Sequence, residues 1–393
     1  MIGMAEINFK DTEIAYQSKS NQDLYRGKYL FKLLQNPILS KPGQIGLKLA
    51  VKFGLPVNGI IKNTLYRQFI GGETLDDCKK LADQLANYNV YTILDYALEG
   101  KEEEAEFERA TEEFARNIDY AAEAKNIPFS VFKPSAIASN KMLENLSSQK
   151  NPGSQEKQTL DKLRERFEFI FNKAYKLDVS VMVDAEETWM QPIIDQLVIE
   201  MMEKYNKEKA LVINTFQLYR KDRLNYLKQC YEYANKQGFY LGVKLVRGAY
   251  LEKELASAAQ EGYESPVYDQ KEDTDRDYNE AIKFCLDHID QVLLAVASHN
   301  ELSTSLTLYE MEERNIDPQH VHVWFSQLYG MCDYLTFNMG KEGYNVAKYI
   351  PYGKVKAVVP YLLRRAEENS SITGQVQKEL DYINQELQRR KAS

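Results

Sequence analysis

Eight short apolar runs, separated by segments with helical spacing, constrain the fold of this chain more than any other feature. The first run is Tyr91–Asp95 and the last is Val346–Ile350; the other six lie at 129–133, 179–184, 210–214, 240–246, 291–296 and 321–325. Strands that alternate with helices indicate a parallel sheet covered by helices. Eight such units over about 280 residues favour a (β/α)8 TIM barrel, an α/β fold. The alternative that this rhythm leaves open is an open doubly wound sheet.

The chain has 393 residues, enough for one large barrel with extensions. We predict a helical extension over residues 1–85, the barrel over 86–371, and a C-terminal helix over 372–393. Apolar residues from Val376 to Leu387 recur at helical spacing in that last helix. A segment from about Ala259 to Tyr278 is acidic and predicts an inserted loop.

Composition excludes several classes of function. The net charge of −8 provides no basic surface for nucleic acid. The four cysteines form no CxxC or zinc pattern, and His320 and His322 have no third ligand nearby, so we predict reduced thiols and no metal. No apolar run approaches the roughly 20 residues of a membrane span. The N-terminus has no signal or transit character, so the expected location is cytoplasmic.

The chemistry of such a barrel lies where strands end, at the C-terminal mouth. A charged residue at one strand end usually marks only the emergence of the chain into solvent, but a ring of polar residues predicts a site. The predicted strand ends carry Asp95, Lys133, Asp184, Asn214, Gln217, Arg247, His299, Asn300, Gln327 and Tyr349.

Three of these segments have competing interpretations. Lys244 and Arg247 could hold an electron-rich ring or a pyrophosphate beside the small residue Gly248, or they could form ordinary strand-end salt bridges. The acidic segment Asp184–Glu187 could serve a site or cap the helix that follows it. Lys133 could likewise be a surface lysine whose stem lies along apolar residues.

The segment after the eighth run predicts a helix from about Lys354 to Asn369, with Pro360 as a kink or a later start. Its apolar side comprises Val355, Val358, Val359, Leu362, Leu363 and Ala366. Tyr361, Arg364, Arg365 and Glu368 fall on the opposite side. Paired guanidinium groups suit a small carboxylate; the alternative is a solvated outer face. Walker, HExxH and GxSxG motifs are absent from the sequence, and no GxGxxG follows a strand, which argues against a Rossmann nucleotide site.

Taken together, the motifs resemble the proline dehydrogenase family, and specifically its monofunctional, eukaryote-like branch. The matching segments are LDYALEG at 94–100, VFKPS at 131–135, DAEE at 184–187, NTFQLY at 214–219, VKLVRGAY at 243–250, SHN at 298–300, FSQLYGM at 325–331 and the segment at 349–369. They occur in the family's order over roughly residues 88 to 371. Lys244 departs from the arginine that many bacterial members carry.

The resemblance implies a distorted barrel whose eighth helix lies across the mouth. Arg364, Arg365 and Lys133 would bind the proline carboxylate. Tyr349, Tyr361 and Leu328 would pack around the ring, and Tyr250 and Asp184 would help to close the pocket. FAD would be held by Gln217, Lys244, Val246, Arg247, Gly248, Ala249, Ser298, His299, Asn300, Glu368 and Ser371.

The implied reaction is hydride transfer from proline Cδ to flavin N5, giving Δ1-pyrroline-5-carboxylate. The resemblance also implies a quinone as electron acceptor and a loose, peripheral association with the inner membrane face. Two alternatives remain. One is a hydroxyproline dehydrogenase, against which the bulk of Tyr349 argues. The other is a cofactor-free barrel that only binds or senses an amino acid.

Overall fold

The computed structural model describes residues 7–36, 58–98, 102–148, 153–371 and 374–392. Its eight strands are all parallel where they pair and form one closed barrel in the order β1 to β8. The strands are β1 Tyr91–Tyr96, β2 Phe129–Phe132, β3 Ser180–Val183, β4 Val212–Gln217, β5 Leu241–Val246, β6 Val292–Ala297, β7 Val323–Leu328 and β8 Val346–Tyr352. The predicted barrel and its eight runs are confirmed, and the open sheet is excluded.

Helices precede, separate and follow the strands. Before β1 lie α1 Thr12–Ala15, α2 Asn21–Gln35, α3 Asn58–Ile61, a π-helical turn Lys62–Tyr66, α4 Arg67–Phe69 and α5 Leu75–Ala86. Between strands lie α6 Glu104–Glu123, α7 Pro134–Ile137, α8 Asn140–Ser148, α9 Ser154–Lys176, α10 Gln191–Tyr205, α11 Arg223–Gln237, α12 Leu251–Glu261, α13 Lys271–Asp287, α14 Glu301–Glu313 and α15 Asp333–Lys341. After β8 come α16 Val355–Ser371 and α17 Gln375–Ala392.

The chain divides into two compact units by packing. One unit comprises Met1–Leu98 and Gln327–Ser393, and the other comprises Glu99–Ser326. The domains predicted from the sequence follow the order of the chain and not its packing, so their boundaries stay a prediction. The position of α16 across the mouth of the barrel also stays a prediction.

The strands read as continuous apolar runs because they are buried on both faces. Every residue of β2 and β8 is buried, and β5 is buried from Leu241 to Leu245. A parallel strand covered by helices outside and by barrel side chains inside has no solvated face, so it shows no alternation of polar residues. This burial explains why the eight runs were visible in the sequence.

Local signals fix several helix ends. Ser20 with Asp23 and Thr74 with Asp77 form capping boxes at the starts of α2 and α5. Asn300 caps α14 by accepting from the Ser303 N–H. The predicted loop from Ala259 to Tyr278 is wrong at both of its ends, because α12 continues to Glu261 and α13 begins at Lys271. Six of the first nine residues of α13 are charged, a composition that is common on exposed helices as well as in loops.

The two C-terminal helices follow the predicted pattern. In α16 the whole predicted apolar side is buried, and Pro360 lies within the helix. In α17 the apolar residues from Val376 to Leu387 are buried. Throughout the described chain, no helix is both long enough and apolar enough to cross a membrane.

Candidate active site

Two lysines converge on one carboxylate at the carboxyl ends of β2, β3 and β5. Lys133 directly follows β2, Asp184 directly follows β3, and Lys244 lies in β5. The Lys133 Nζ donates to one Asp184 oxygen at 2.6 Å and the Lys244 Nζ donates to the other, also at 2.6 Å. Both lysines are buried. Asp184 therefore fixes two cations close together, and the interpretation of Lys133 as a surface lysine is wrong.

The two ammonium groups keep Asp184 ionised. Burial alone would raise the pKa of its carboxyl, but the charges of Lys133 and Lys244, and their hydrogen bonds, lower that pKa well below the ordinary range. Asp184 consequently contributes stability at every pH above the pKa it has when unfolded, and that contribution is lost as the pH falls through its folded value.

Arg247 is held by partners on all three of its nitrogens. The Nε donates to Asp275 at 2.7 Å, and the other two nitrogens donate to Ser298 at 2.9 Å and Ser303 at 2.8 Å. Its guanidinium also lies over the ring of Tyr278, 4.3 Å from the centroid. The salt bridges weighed for Lys244 and Arg247 are thus present. They fix the directions of both cations.

The turn after β5 requires a glycine. Gly248 has a φ of +136°, and a Cβ there would lie 2.5 Å from the ring of Tyr219, so only glycine fits. Ala249 beside it is small and exposed. An oriented guanidinium next to a glycine turn is a donor set that suits a pyrophosphate, so the residues present fit a dinucleotide cofactor such as FAD.

Tyr250 is positioned by Glu186. Its hydroxyl donates to Glu186 Oε2 at 3.1 Å, and Glu186 Oε1 accepts from the Ser135 N–H at 3.1 Å. The Gln217 side-chain amide donates to the Glu186 carbonyl at 2.8 Å. Glu186 therefore connects the loops after β2, β3 and β5 with the end of β4. Within the described part of the chain no side chain caps α10, so neither Glu186 nor Glu187 does so, and Glu187 instead pairs with Lys253 at 2.5 Å.

Val246, Ser298, His299 and Asn300, which are also predicted to contact a flavin, lie in the same unit. Val246 ends β5, and its carbonyl accepts from the Leu218 N–H at 2.9 Å. Ser298 is buried, and its hydroxyl accepts both from Arg247 and from the Asn300 N–H. His299 lies half-buried between Ser298 and Asn300. This loop after β6 is thus tied to Arg247 by a direct hydrogen bond.

In the other unit, the polar side of α16, for which a solvated outer face was the alternative, is largely buried. Tyr361 is 4% exposed and Arg365 is 8% exposed, while Arg364 is half-buried. The Arg365 guanidinium lies 5.3 Å from the centroid of the Tyr361 ring, one helical turn away. The solvated-face alternative is therefore wrong for Tyr361 and Arg365. A buried guanidinium is costly unless acceptors or anions lie against it.

The ends of β7 and β8 carry the other predicted contacts of this unit. Tyr349 is a buried residue of β8, and Leu328 is the half-buried last residue of β7. The Tyr349 carbonyl accepts from the Tyr329 N–H at 2.9 Å, which joins the residue after β7 to the middle of β8. The side chains of Glu368 and Ser371 lie outside the described part of the chain, and their predicted role stays a prediction.

Sequence reasoning missed the residues that hold the predicted ones in place. Asp275, Ser303 and Tyr278 orient Arg247, and Glu186 orients Tyr250. Asp275 lies in the segment predicted as a loop. The sequence did contain a signal for a helix there: apolar strands are predicted on both sides of this segment, and parallel strands of this kind are connected by a covering helix.

Comparison with known proteins places these residues in a family. The model of the family described as Proline dehydrogenase matches residues 78–378. The chain is 36% identical over 322 residues to the "Carbapenem antibiotics biosynthesis protein CarD" of Pectobacterium carotovorum subsp. carotovorum, covering 82% of this chain and 83% of that protein. It is 33% identical over 426 residues to "Proline dehydrogenase 1, mitochondrial" of Dictyostelium discoideum, covering 97% and 74%.

Two further comparisons bear on specificity and fold. The chain is 31% identical over 427 residues to the "Hydroxyproline dehydrogenase" of Xenopus laevis, covering 98% of this chain and 90% of that protein. The crystal structure of proline utilization A (PutA) from Bdellovibrio bacteriovorus superposes with a TM-score of 0.73 at 22% identity. The match covers 93% of this chain and 39% of PutA, so the chain spans about two fifths of that longer protein.

Proposed function

The chain belongs to the proline dehydrogenase family, and from this premise we propose that it oxidises L-proline to Δ1-pyrroline-5-carboxylate. The family match covers every strand end described above. The observation that carries the proposal is the pair of buried lysines fixed on Asp184, because it supplies preset cations where a barrel binds its substrate. An amino-acid carboxylate is the kind of anion such cations bind.

We assign the substrate contacts residue by residue. Lys133, Arg364 and Arg365 bind the carboxylate of proline. The pyrrolidine ring packs against Leu328, Tyr349 and Tyr361, and the pocket is closed by Tyr250 and Asp184. Three cations on one carboxylate fix the ring's orientation, which is the main contribution a protein makes when a bound cofactor performs the redox chemistry.

FAD is the cofactor we propose, because the Arg247 and Gly248 arrangement fits a dinucleotide. Arg247 and the Gly248–Ala249 turn would bind the pyrophosphate, and the rest would be held by Gln217, Lys244, Val246, Ser298, His299, Asn300, Glu368 and Ser371. When bound, FAD would accept at N5 the hydride that leaves proline Cδ. The proline nitrogen loses a proton, so the amine must be neutral before the C=N bond forms.

The electrons then leave the enzyme, and we propose a quinone as their acceptor. A quinone is dissolved in the membrane, so the enzyme would associate loosely with a membrane face. The test is reoxidation of the proline-reduced protein by a short-chain quinone under anaerobic conditions. Reoxidation by oxygen alone, with no response to quinone, would contradict this part of the proposal.

A hydroxyproline substrate is the second candidate, because a hydroxyproline dehydrogenase is among the relatives. The buried phenol of Tyr349 would crowd a hydroxyl on the substrate ring. We therefore expect the kcat/KM for L-proline to exceed that for trans-4-hydroxy-L-proline by about tenfold or more, a difference of the size that steric rejection in a pocket supports. The reverse order of kcat/KM would make the chain a hydroxyproline dehydrogenase on the same fold.

A further inference from the structure

A buried glutamine, Gln191, holds the loop that carries Asp184 and Glu186. Gln191 is the first residue of α10 and is 1% exposed. Its side-chain oxygen accepts from the Glu186 N–H at 2.8 Å, and its side-chain NH2 donates to Asp195 Oδ1 at 2.9 Å. Gln191 is not among the residues assigned to proline or FAD, yet it ties the loop after β3 to the helix that follows.

The anchor of Gln191 is a buried ion pair. Asp195, one helical turn further along α10, pairs with Arg223 at 2.5 Å. Asn214 of β4 donates to Asp195 Oδ1 at 3.0 Å. All of these residues are buried, and a buried, hydrogen-bonded ion pair keeps its geometry because a separated charge would be costly. The Gln191 NH2 therefore faces the Asp195 carboxylate, which turns the Gln191 oxygen toward Glu186.

Glu186 is engaged at both of its peptide groups and at both carboxylate oxygens. Gln191 accepts from its N–H, and Gln217 donates to its carbonyl at 2.8 Å. The carboxylate accepts from the Ser135 N–H and from the Tyr250 hydroxyl, each at 3.1 Å. All of these contacts lie within one compact unit. A movement of the Glu186 peptide would consequently move the carboxylate that holds Tyr250.

We propose that Gln191 is a positioning residue for proline binding, a role that rests on the proposed function, in which Tyr250 closes the pocket. Gln191 fixes the Glu186 peptide, and Glu186 in turn holds the Tyr250 hydroxyl. Without Gln191 the Glu186 N–H loses this acceptor, and the loop shifts to pair it elsewhere, because a buried unpaired donor is costly. The carboxylate of Glu186 moves with the loop, so the pocket closes less completely over proline.

Gln191→Met keeps the length of the side chain and removes both hydrogen bonds. The KM for L-proline should rise about fivefold, the size expected for one hydrogen bond, while kcat changes less than about twofold. Gln196→Met makes the same change at an exposed residue of α10 and should leave both constants unchanged. A purely structural role would lower the fraction of folded enzyme, and so kcat, without changing KM.

Binding of tetrahydro-2-furoate gives a second readout that needs no turnover. This analogue of proline has oxygen in place of the ring N–H, so it cannot form a C=N bond. By calorimetric titration, Gln191→Met should weaken its binding about fivefold. In a Tyr250→Phe protein, which lacks the hydroxyl that donates to Glu186, Gln191→Met should weaken binding by less than about twofold further, because the two residues act in one chain of contacts.

Gln191→Glu is the second variant, used if Gln191→Met does not fold. It keeps the shape of the side chain but sets a second carboxyl against Asp195, so the same weakening, and the same loss of that weakening in the Tyr250→Phe protein, are expected.

The role of Gln191 is overturned if the variant binds the analogue as tightly as Gln196→Met does, or if the weakening is undiminished in the Tyr250→Phe protein. Normal oxidation of L-proline by the wild type together with either result overturns this role alone. A wild type that neither oxidises L-proline nor binds the analogue overturns the proposed function, and with it the pocket that Gln191 serves.

Discussion

Glu379 carries a pH dependence of folding that the structure makes quantitative. This residue of α17 is 2% exposed, and its Oε1 accepts from the Cys332 N–H at 2.5 Å. Burial raises the pKa of its carboxyl from the ordinary 4.5 to about 7. The charge of Asp333 also raises it, while the Cys332 N–H and the charge of Lys348 oppose the rise. The folded protein therefore retains this proton where the unfolded chain has lost it.

The shift in this pKa determines the sign and size of the change in the free energy of unfolding with pH. Below pH 4.5 the carboxyl is protonated in both states and has no effect on stability. Between pH 4.5 and 7 only the unfolded state loses the proton, so the free energy of unfolding falls, and the loss is complete above pH 7. Each pKa unit corresponds to about 1.4 kcal/mol, so the full loss is about 3 kcal/mol.

Glu379→Gln removes the titration and keeps the acceptor for the Cys332 N–H. The difference in free energy of unfolding between variant and wild type should therefore shift by about 3 kcal/mol in the variant's favour from pH 4.5 to pH 8. Urea denaturation at both pH values measures this difference, because the titrations shared by the two proteins cancel.

Glu386→Gln is the matched control in the same helix. Glu386 is fully buried and pairs with Arg389 and Arg390. Burial alone would raise the pKa of its carboxyl, but hydrogen bonds from these arginines lower it. This variant should therefore be destabilised at pH 8, and less so as the pH falls toward the folded pKa of Glu386. A Glu379→Gln difference that is equal at pH 4.5 and pH 8, or that shifts against the variant, would refute the reasoning.

Three further predictions concern the candidate active site. Asp184→Asn leaves two buried ammonium groups without their carboxylate, and we expect a loss of about 3–5 kcal/mol in the free energy of unfolding by urea denaturation; an unchanged value would contradict the pairing. Arg365→Met and Arg364→Met should each weaken proline binding by about 30-fold or more, measured as the Kd for proline under anaerobic conditions; unchanged affinity in both would refute the carboxylate assignment. Gly248→Ala should lower the free energy of unfolding by more than about 2 kcal/mol and impair FAD retention, because it adds a steric clash to the backbone strain. Gly238→Ala, at a φ of +67° with open space around it, should lower the free energy of unfolding by only about 1 kcal/mol. Equal losses in the two variants would show that the Tyr219 ring moves aside.

The barrel could be predicted because its strands are buried on both faces. Such strands appear as continuous apolar runs, and helical spacing between them identifies the covering layer. The helix α16 was also predictable, because its apolar residues recur at helical spacing along one side. Whether Tyr361 and Arg365 opposite that side faced solvent could not be decided, because a helical periodicity shows which residues share a face and not what covers it.

The partnerships within the candidate site could not be predicted by pattern. Lys133 and Lys244 lie 51 and 60 residues from Asp184 along the chain, and only the closed barrel brings β2, β3 and the non-adjacent β5 close enough for the three to meet. The role of Asp275 was hidden because the charged start of α13 looks like a loop. Long-range ion pairs of this kind depend on register and on side-chain direction, which composition and spacing do not encode.

The absorption spectrum of the purified protein tests the central proposal most directly. We predict the visible bands of an oxidised flavin, which are lost when L-proline is added under anaerobic conditions. Arg109→Gln, which lies outside the assigned residues, should behave as wild type. A colourless protein that cannot be reconstituted with FAD, or a flavin spectrum that does not change with L-proline, would contradict the proposed proline oxidation.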